Sequence, residues 1–134
     1  MARRRDARRL AVQILYQADV SHRPPTEVLE GRRQLGQRIP GFTEDLVRGV
    51  EERLGDLDHL IGEHAQDWTV ERMAVVDRAI LRVACFELRY REDVPVGAAI
   101  DEAVIAAKEM STEESGGFVN GILGRVARDL AASG

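Results

Sequence analysis

The stretch Val75–Leu88, VVDRAILRVACFEL, decides the fold. With its flanks it places Met73, Val76, Ile80, Val83, Phe86 and Leu88 at helical steps, with Ala74, Ala79 and Ala84 between them. A helix that is apolar over so much of its circumference is a central helix, covered by others on most sides. The pattern predicts a helix from Val70 to about Arg91, capped by Thr69. Cys85, set among Val83, Ala84 and Phe86, reads as a buried, inert thiol. Pro95 stops the next turn and Gly97 loosens the connection that follows.

Working outward from this helix, the same periodicity recurs on both sides. From Arg4 to Val20, residues Ala7, Leu10, Ala11, Ile14, Leu15 and Ala18 share one side. Arg5, Arg8, Arg9, Gln13 and Tyr16 share the other, and Pro24-Pro25 ends the helix. A second helix starts at Thr26, with Val28, Leu29 and Leu35 as apolar positions and Gly36 as its stop. A third follows Thr43, its seam running through Leu46, Val50, Leu54, Leu57 and Leu60 or Ile61. On the far side, Ala98–Met110 buries Ile100, Ala103, Val104 and Ala107. Ser111 with Glu114 reads as a capping box for a last helix carrying Phe118, Val119, Ile122, Leu123, Val126 and Leu130. Six or more helices and no convincing strand make an all-α chain. Its 134 residues suit one domain spanning 1–134, with a basic segment at 1–9.

Composition narrows the function classes. The hydrophobic fraction is 44% and the charged fraction 31%, a globular balance, while aromatics are only 4%. Residues 1–9 carry a net +4, so with a total of −4 the remainder carries −8. A basic head on an acidic body suggests a local anionic contact rather than bulk coating of DNA. The lone Cys85 excludes an internal disulfide and a cysteine-based zinc site. No run approaches the ~20 apolar residues of a membrane span, and no secretory signal core follows the arginines. The expected compartment is the cytoplasm, and no cofactor or metal is expected.

Few residues could carry chemistry. On a helix, Arg5, Arg9, Gln13 and Tyr16 form one ridge. Arginine forks suit phosphates, tyrosine can stack an unpaired base and glutamine can read a base edge. The competing reading is a solvated helical face. Gly117, Gly121 and Gly124 fall on one stripe of the last helix. They predict close approach of a neighbouring helix or, alternatively, of a nucleic-acid backbone. Phe118 is either core filler or a stacking platform. Trp68 reads as a packed apolar anchor, and His22, His59 and His64 as surface residues. No nucleophile elbow, Walker loop, dinucleotide fingerprint or paired carboxylate indicates an enzyme.

Three segments together carry a resemblance: ARRLAVQILYQADV (Ala7–Val20), VVDRAILRVACFEL (Val75–Leu88) and DVPVGAAIDEAVIAAKEMSTEESGGFVNGILGRVA (Asp93–Ala127). Each is similar to a segment of the NusB transcription antitermination family. The aspartate-valine-proline turn, IDEAV, AAKE and FVNGIL are jointly specific. The likeness covers nearly the whole chain, is weakest at about His22–Pro40, and suggests an actinobacterial type. It implies a compact helical bundle of two three-helix subdomains without enzymatic activity. It further implies an adaptor that binds boxA RNA together with NusE, a small-subunit ribosomal protein. Other Nus factors and RNA polymerase are implied partners, and support of ribosomal RNA transcription is the implied role.

By position, the resemblance assigns RNA contact to Arg3, Arg4, Arg5, Arg8 and Arg9, and to Tyr16, with Gln13 beside it on the same face. Glu114, Ser115 and Phe118 fit a loop and helix start near RNA. Asp77 and, less directly, Glu87 match acidic positions associated with the NusE contact. Gly116-Gly117 departs from the bulkier pair expected there, which removes side-chain contacts from those two positions. If four phosphates are neutralised, log affinity should fall against log salt with a slope near about −3. Three other readings compete. One is the RNA-binding domain of a ribosomal RNA methyltransferase, which would make this chain one piece of a longer protein. A helical DNA-binding regulator is the second, and it lacks a basic recognition helix mid-chain. The third is a self-associating helical module, including a homodimer.

Overall fold

Among the described residues, apolar positions at three- and four-residue steps fold into seven α-helices. The computed structural model describes residues 2–133. The helices are α1 (Ala2–Ser21), α2 (Pro25–Gln34), α3 (Gly41–Glu52), α4 (Leu54–His64), α5 (Val75–Tyr90), α6 (Val96–Met110) and α7 (Glu113–Ser133). A 3-10 turn at Val70–Arg72 precedes α5, and no strand occurs among the described residues. α1, α2 and α3 pack on one another; α4, α6 and α7 gather around α5, which also lies against α1 and α3. The central position expected for the Val75–Leu88 stretch is therefore observed. Its residues Ala79, Ile80, Leu81, Val83, Ala84, Cys85 and Phe86 are all buried. Burial pushes the Cys85 thiol up to about 12, which keeps it protonated and unreactive.

Helix boundaries differ from expectation at three places. The expected third helix is two helices, broken at Arg53, so the second group holds four helices rather than three. The leucine seam runs through the break, but Leu54 lies on the exposed side of it. The central helix starts at Val75, not Val70, because Thr69 heads the 3-10 turn and Met73 is extended. The start of α7 shifts by one residue from the expected Ser111–Glu114 box. The Ser115 amide donates to Thr112 Oγ1 at 3.1 Å, making Thr112 the capping group. Leu35, expected inside, is the exposed residue after α2, followed by Gly36 at φ +94°.

Two close fits hold α3 in place, one within its own group and one against α5. The Thr43 hydroxyl, fully buried, donates to the Ala7 carbonyl at 2.8 Å and links α3 to α1. Gly49 on α3 faces the Phe86 ring so closely that a Cβ would overlap the ring itself. Gly49→Ala should therefore cost about 1–3 kcal/mol by overpacking. A urea melt would show it, with Phe86→Leu recovering part of the loss in the same background. A Gly49→Ala protein as stable as the parent would mean that the ring is free to move.

The glycine stripe of α7 does not receive a neighbouring helix. A Cβ at Gly117 would meet nothing within 4 Å. At Gly121 and Gly124 it would touch only the Arg125 and Arg128 guanidinium groups of the same helix. The tight position is Gly116, where the Lys108 side chain on α6 would lie 2.7 Å away.

Candidate nucleic-acid interface

The arginines of α1 lie along the edge where that helix meets α5 and α6, and most already have partners. Arg4 Nη2 lies 3.0 Å from Asp93 Oδ2, and its guanidinium stacks 4.3 Å from the Phe42 ring centre. Arg5 forks onto Glu102, with Nε–Oε1 at 3.0 Å and Nη2–Oε2 at 2.9 Å. Arg9 pairs with Glu109 near the end of α6. Hydrogen bonds from Arg91 and Arg4 hold the Asp93 carboxyl well below the usual carboxylate range. The Arg5 hydrogen bond likewise lowers that of Glu102. Arg3 is exposed at the tip. The face read as an RNA contact or, alternatively, a solvated surface is thus a row of ion pairs to α5, α6 and the turn between them.

Arg8 differs from the rest. Its side chain is 12% exposed and donates to Glu87, 1% exposed, from Nε at 2.9 and 3.1 Å. Glu87 sits on the buried face of α5, and its partner is this arginine. Burial raises the Glu87 pKa, against the opposing pull of Arg8. At this depth neither residue can reach a partner or a phosphate without dismantling the pair. The structure thus places Glu87 and Arg8, expected at the partner surface and in the RNA contact, in one internal ion pair.

Farther along α1, Gln13 is exposed and Tyr16 is 42% exposed. They border an open groove of about 390 Å³, with Val76 from α5 and Met110 from α6 on its other side. α7 begins a few residues after Met110. There Ser115 is buried, and its hydroxyl donates to Asp77 Oδ2 at 3.0 Å. The Ser111 and Thr112 hydroxyls lie 3.0 Å from the same oxygen of Ser115. Ser115 therefore fastens the start of α7 to the start of α5, and its burial removes it from direct RNA contact. Asp77 is 8% exposed, and its Oδ1 has no hydrogen-bond partner among the described residues. A buried acceptor of this kind is costly unless something donates to it.

Glu114 is exposed on the first turn of α7. Phe118 is half-buried, packed on the core at its base and edge-on to Trp68 with ring centres 6.1 Å apart. Trp68, expected to be a packed anchor, is instead 51% exposed. The signal for this lay in Asp67, which tolerates the left-handed φ of 55° that turns the chain outward. His64 is the other departure. It is mostly covered, with Nδ1 2.8 Å from the Leu60 carbonyl and Nε2 3.3 Å from Asp129. Among the described residues no His, Cys, Asp and Glu cluster is placed to hold a metal, and no helix is long and apolar enough to cross a membrane.

Comparison with known proteins follows the same lines. A sequence profile described as the NusB family matches residues 5–128. Over 124 residues the chain is 49% identical to the transcription antitermination protein NusB of Thermobifida fusca, covering 92% of this chain and 87% of the relative. The structure of T. maritima NusB matches with a TM-score of 0.81 and 38% identity, over 92% of this chain and 90% of that one. A chain in the crystal structure of antitermination factors NusB and NusE with double-stranded RNA matches with a TM-score of 0.83. Its 24% identity, over 96% of this chain and 98% of that one, makes it a likeness of fold.

Proposed function

The chain belongs to the NusB family, and from that premise we propose that it is a transcription antitermination adaptor binding boxA RNA together with the ribosomal protein NusE. The observation that carries the reading is the exposed pair Gln13 and Tyr16 on α1, bordering an open groove, with the half-buried Arg9 one turn before them. Arginine supplies a phosphate contact, glutamine an edge to read, and tyrosine a face on which an unpaired base stacks. Arg3, Arg4 and Arg5 extend the basic edge toward the helix start. Phe118 and its exposed neighbour Trp68 offer a second aromatic surface, with Glu114 at its border.

The acidic remainder of the chain suits a basic ribosomal protein. Asp77 is the acidic position matched to the NusE contact, and its Oδ1, buried and unpaired among the described residues, would gain a donor if the start of α5 or α7 shifts when NusE docks. In this reading Glu87 and Ser115 act through Arg8 and Asp77, holding α1 and α7 in place rather than touching a ligand. The protein works by binding, not by catalysis, in the cytoplasm, with other Nus factors and RNA polymerase completing the assembly. The NusB name of a relative matched over 87% of its length favours this reading over a methyltransferase domain.

A gel-shift assay with boxA RNA, with and without NusE, tests it. The expected result is a shift that strengthens several-fold when NusE is present. RNA binding absent under both conditions, or indifferent to NusE, would overturn the adaptor reading.

A further inference from the structure

The ion pairs along α1 divide into two kinds. Arg8–Glu87 is internal, with side chains 12% and 1% exposed. Arg5–Glu102 and Arg9–Glu109 lie at the surface, and each joins α1 to α6 across the chain rather than along one helix. The Glu102 carboxylate also lies 4.0 Å from Arg8 Nη1. Arg4, Arg5, Arg8 and Arg9, which give the helix most of its basic character, are thus already paired where RNA would meet them.

We propose that Glu102 and Glu109 are affinity-setting residues of the RNA site, acting as intramolecular competitors of RNA phosphates for Arg5 and Arg9. The proposal rests on the RNA-binding reading above. Surface pairs of this type are weak, about 0–1 kcal/mol each, so a phosphate can displace the carboxylate. Displacement exchanges one anion for another and leaves a carboxylate beside the phosphate, so the arginines alone gain little. An RNA that also stacks a base on Tyr16 gains about 1–3 kcal/mol more and holds its place.

The test is Glu102→Gln with Glu109→Gln, which keeps side-chain size and a hydrogen-bond acceptor while removing the charge. Two labelled RNAs serve as probes, boxA and a scrambled sequence of the same composition, titrated across a potassium chloride series. Affinity for both should rise about threefold to tenfold. The salt slope should steepen by about 1, as arginines freed of carboxylates release more counterions. Asp101→Asn, an exposed charge beside Glu102 on α6, should change affinity less than twofold. Unchanged affinity and slope in the double variant, while boxA is still bound, would overturn the proposal alone. A loss of affinity would also overturn it, showing that the glutamates position the arginines rather than compete for them. An Asp101→Asn effect as large as that of Glu102→Gln would reduce the effect to bulk charge. Failure of the parent protein to bind either RNA would defeat the RNA reading itself. Glu109→Gln alone, on the more exposed pair, gives the same readout should the double variant fold poorly.

Discussion

Arg8→Ala should destabilise the protein by about 3–5 kcal/mol, although arginine-to-alanine changes on helix surfaces usually cost little. The reason is what the substitution leaves behind. Glu87 is 1% exposed, and Arg8 is the partner that satisfies its carboxylate. Without Arg8 the charge is buried and uncompensated. Burial already raises the Glu87 pKa, with Arg8 as the first opposing influence, so removing Arg8 raises it further. A carboxyl whose folded pKa lies above its unfolded value, near about 4.3, stabilises the folded state below that value. That stability is lost as pH rises through the folded pKa. The melting temperatures of parent and variant should therefore lie close together near pH 4 and separate toward pH 7. Thermal melts followed by circular dichroism over that range check this. Adding Glu87→Leu should recover most of the stability at neutral pH, because an apolar pair replaces the stranded charge. A gap below about 1 kcal/mol, or one independent of pH, would mean that water reaches Glu87. RNA-binding losses in Arg8→Ala would consequently report unfolding, not a lost phosphate contact.

Tyr16→Ala should have the largest effect on RNA binding. The ring is 42% exposed beside Gln13 and the open groove, so its loss leaves the core intact and should move the melting temperature little. Stacking of one base is worth about 1–3 kcal/mol, which corresponds to a loss of about 5- to 150-fold in affinity. Fluorescence anisotropy of labelled boxA RNA, measured with NusE present, gives the number. Tyr16→Phe should retain most of the affinity, since it keeps the ring. Binding within twofold of the parent in Tyr16→Ala would remove this face of α1 from the RNA contact.

The helices were legible because burial imposes a period on sequence. Ala11, Ile14, Leu15 and Ala18 on α1, and Ile80, Val83 and Ala84 on α5, are buried as their spacing required. The break at Arg53 was not legible. Leu46, Val50, Leu57 and Leu60 keep helical steps through it and are buried on both sides. Periodicity reports which face is covered, and it is silent when the axis bends while that face stays covered. The site was read less completely for a related reason. Arginines clustered within nine residues are visible in sequence. Their acidic partners stand 79 (Arg8–Glu87) to 100 (Arg9–Glu109, 109 − 9) residues away and only the fold brings them near. Burial of Asp77, Ser115 and Glu87 was equally hidden, since short polar side chains carry no periodic signature of depth. Trp68 erred in the opposite direction, because a large apolar residue before a helix suggested anchoring while the left-handed Asp67 turns it out.

The position of α1 also orders the protein's assembly. One end of the helix is joined to α5 through Asp19, which accepts from Arg78 at 2.7 and 2.8 Å and from Arg82 at 3.4 Å. The other end is joined through Arg8 to Glu87 and through Arg5 to Glu102. These contacts span 59 to 97 residues of chain. During synthesis α1 is therefore translated first but completes its tertiary contacts only once α5 and α6 exist. Loops this long close slowly compared with local helix formation. Until α5 and α6 have been made, Arg5 and Arg8 have neither Glu102 nor Glu87 to pair with.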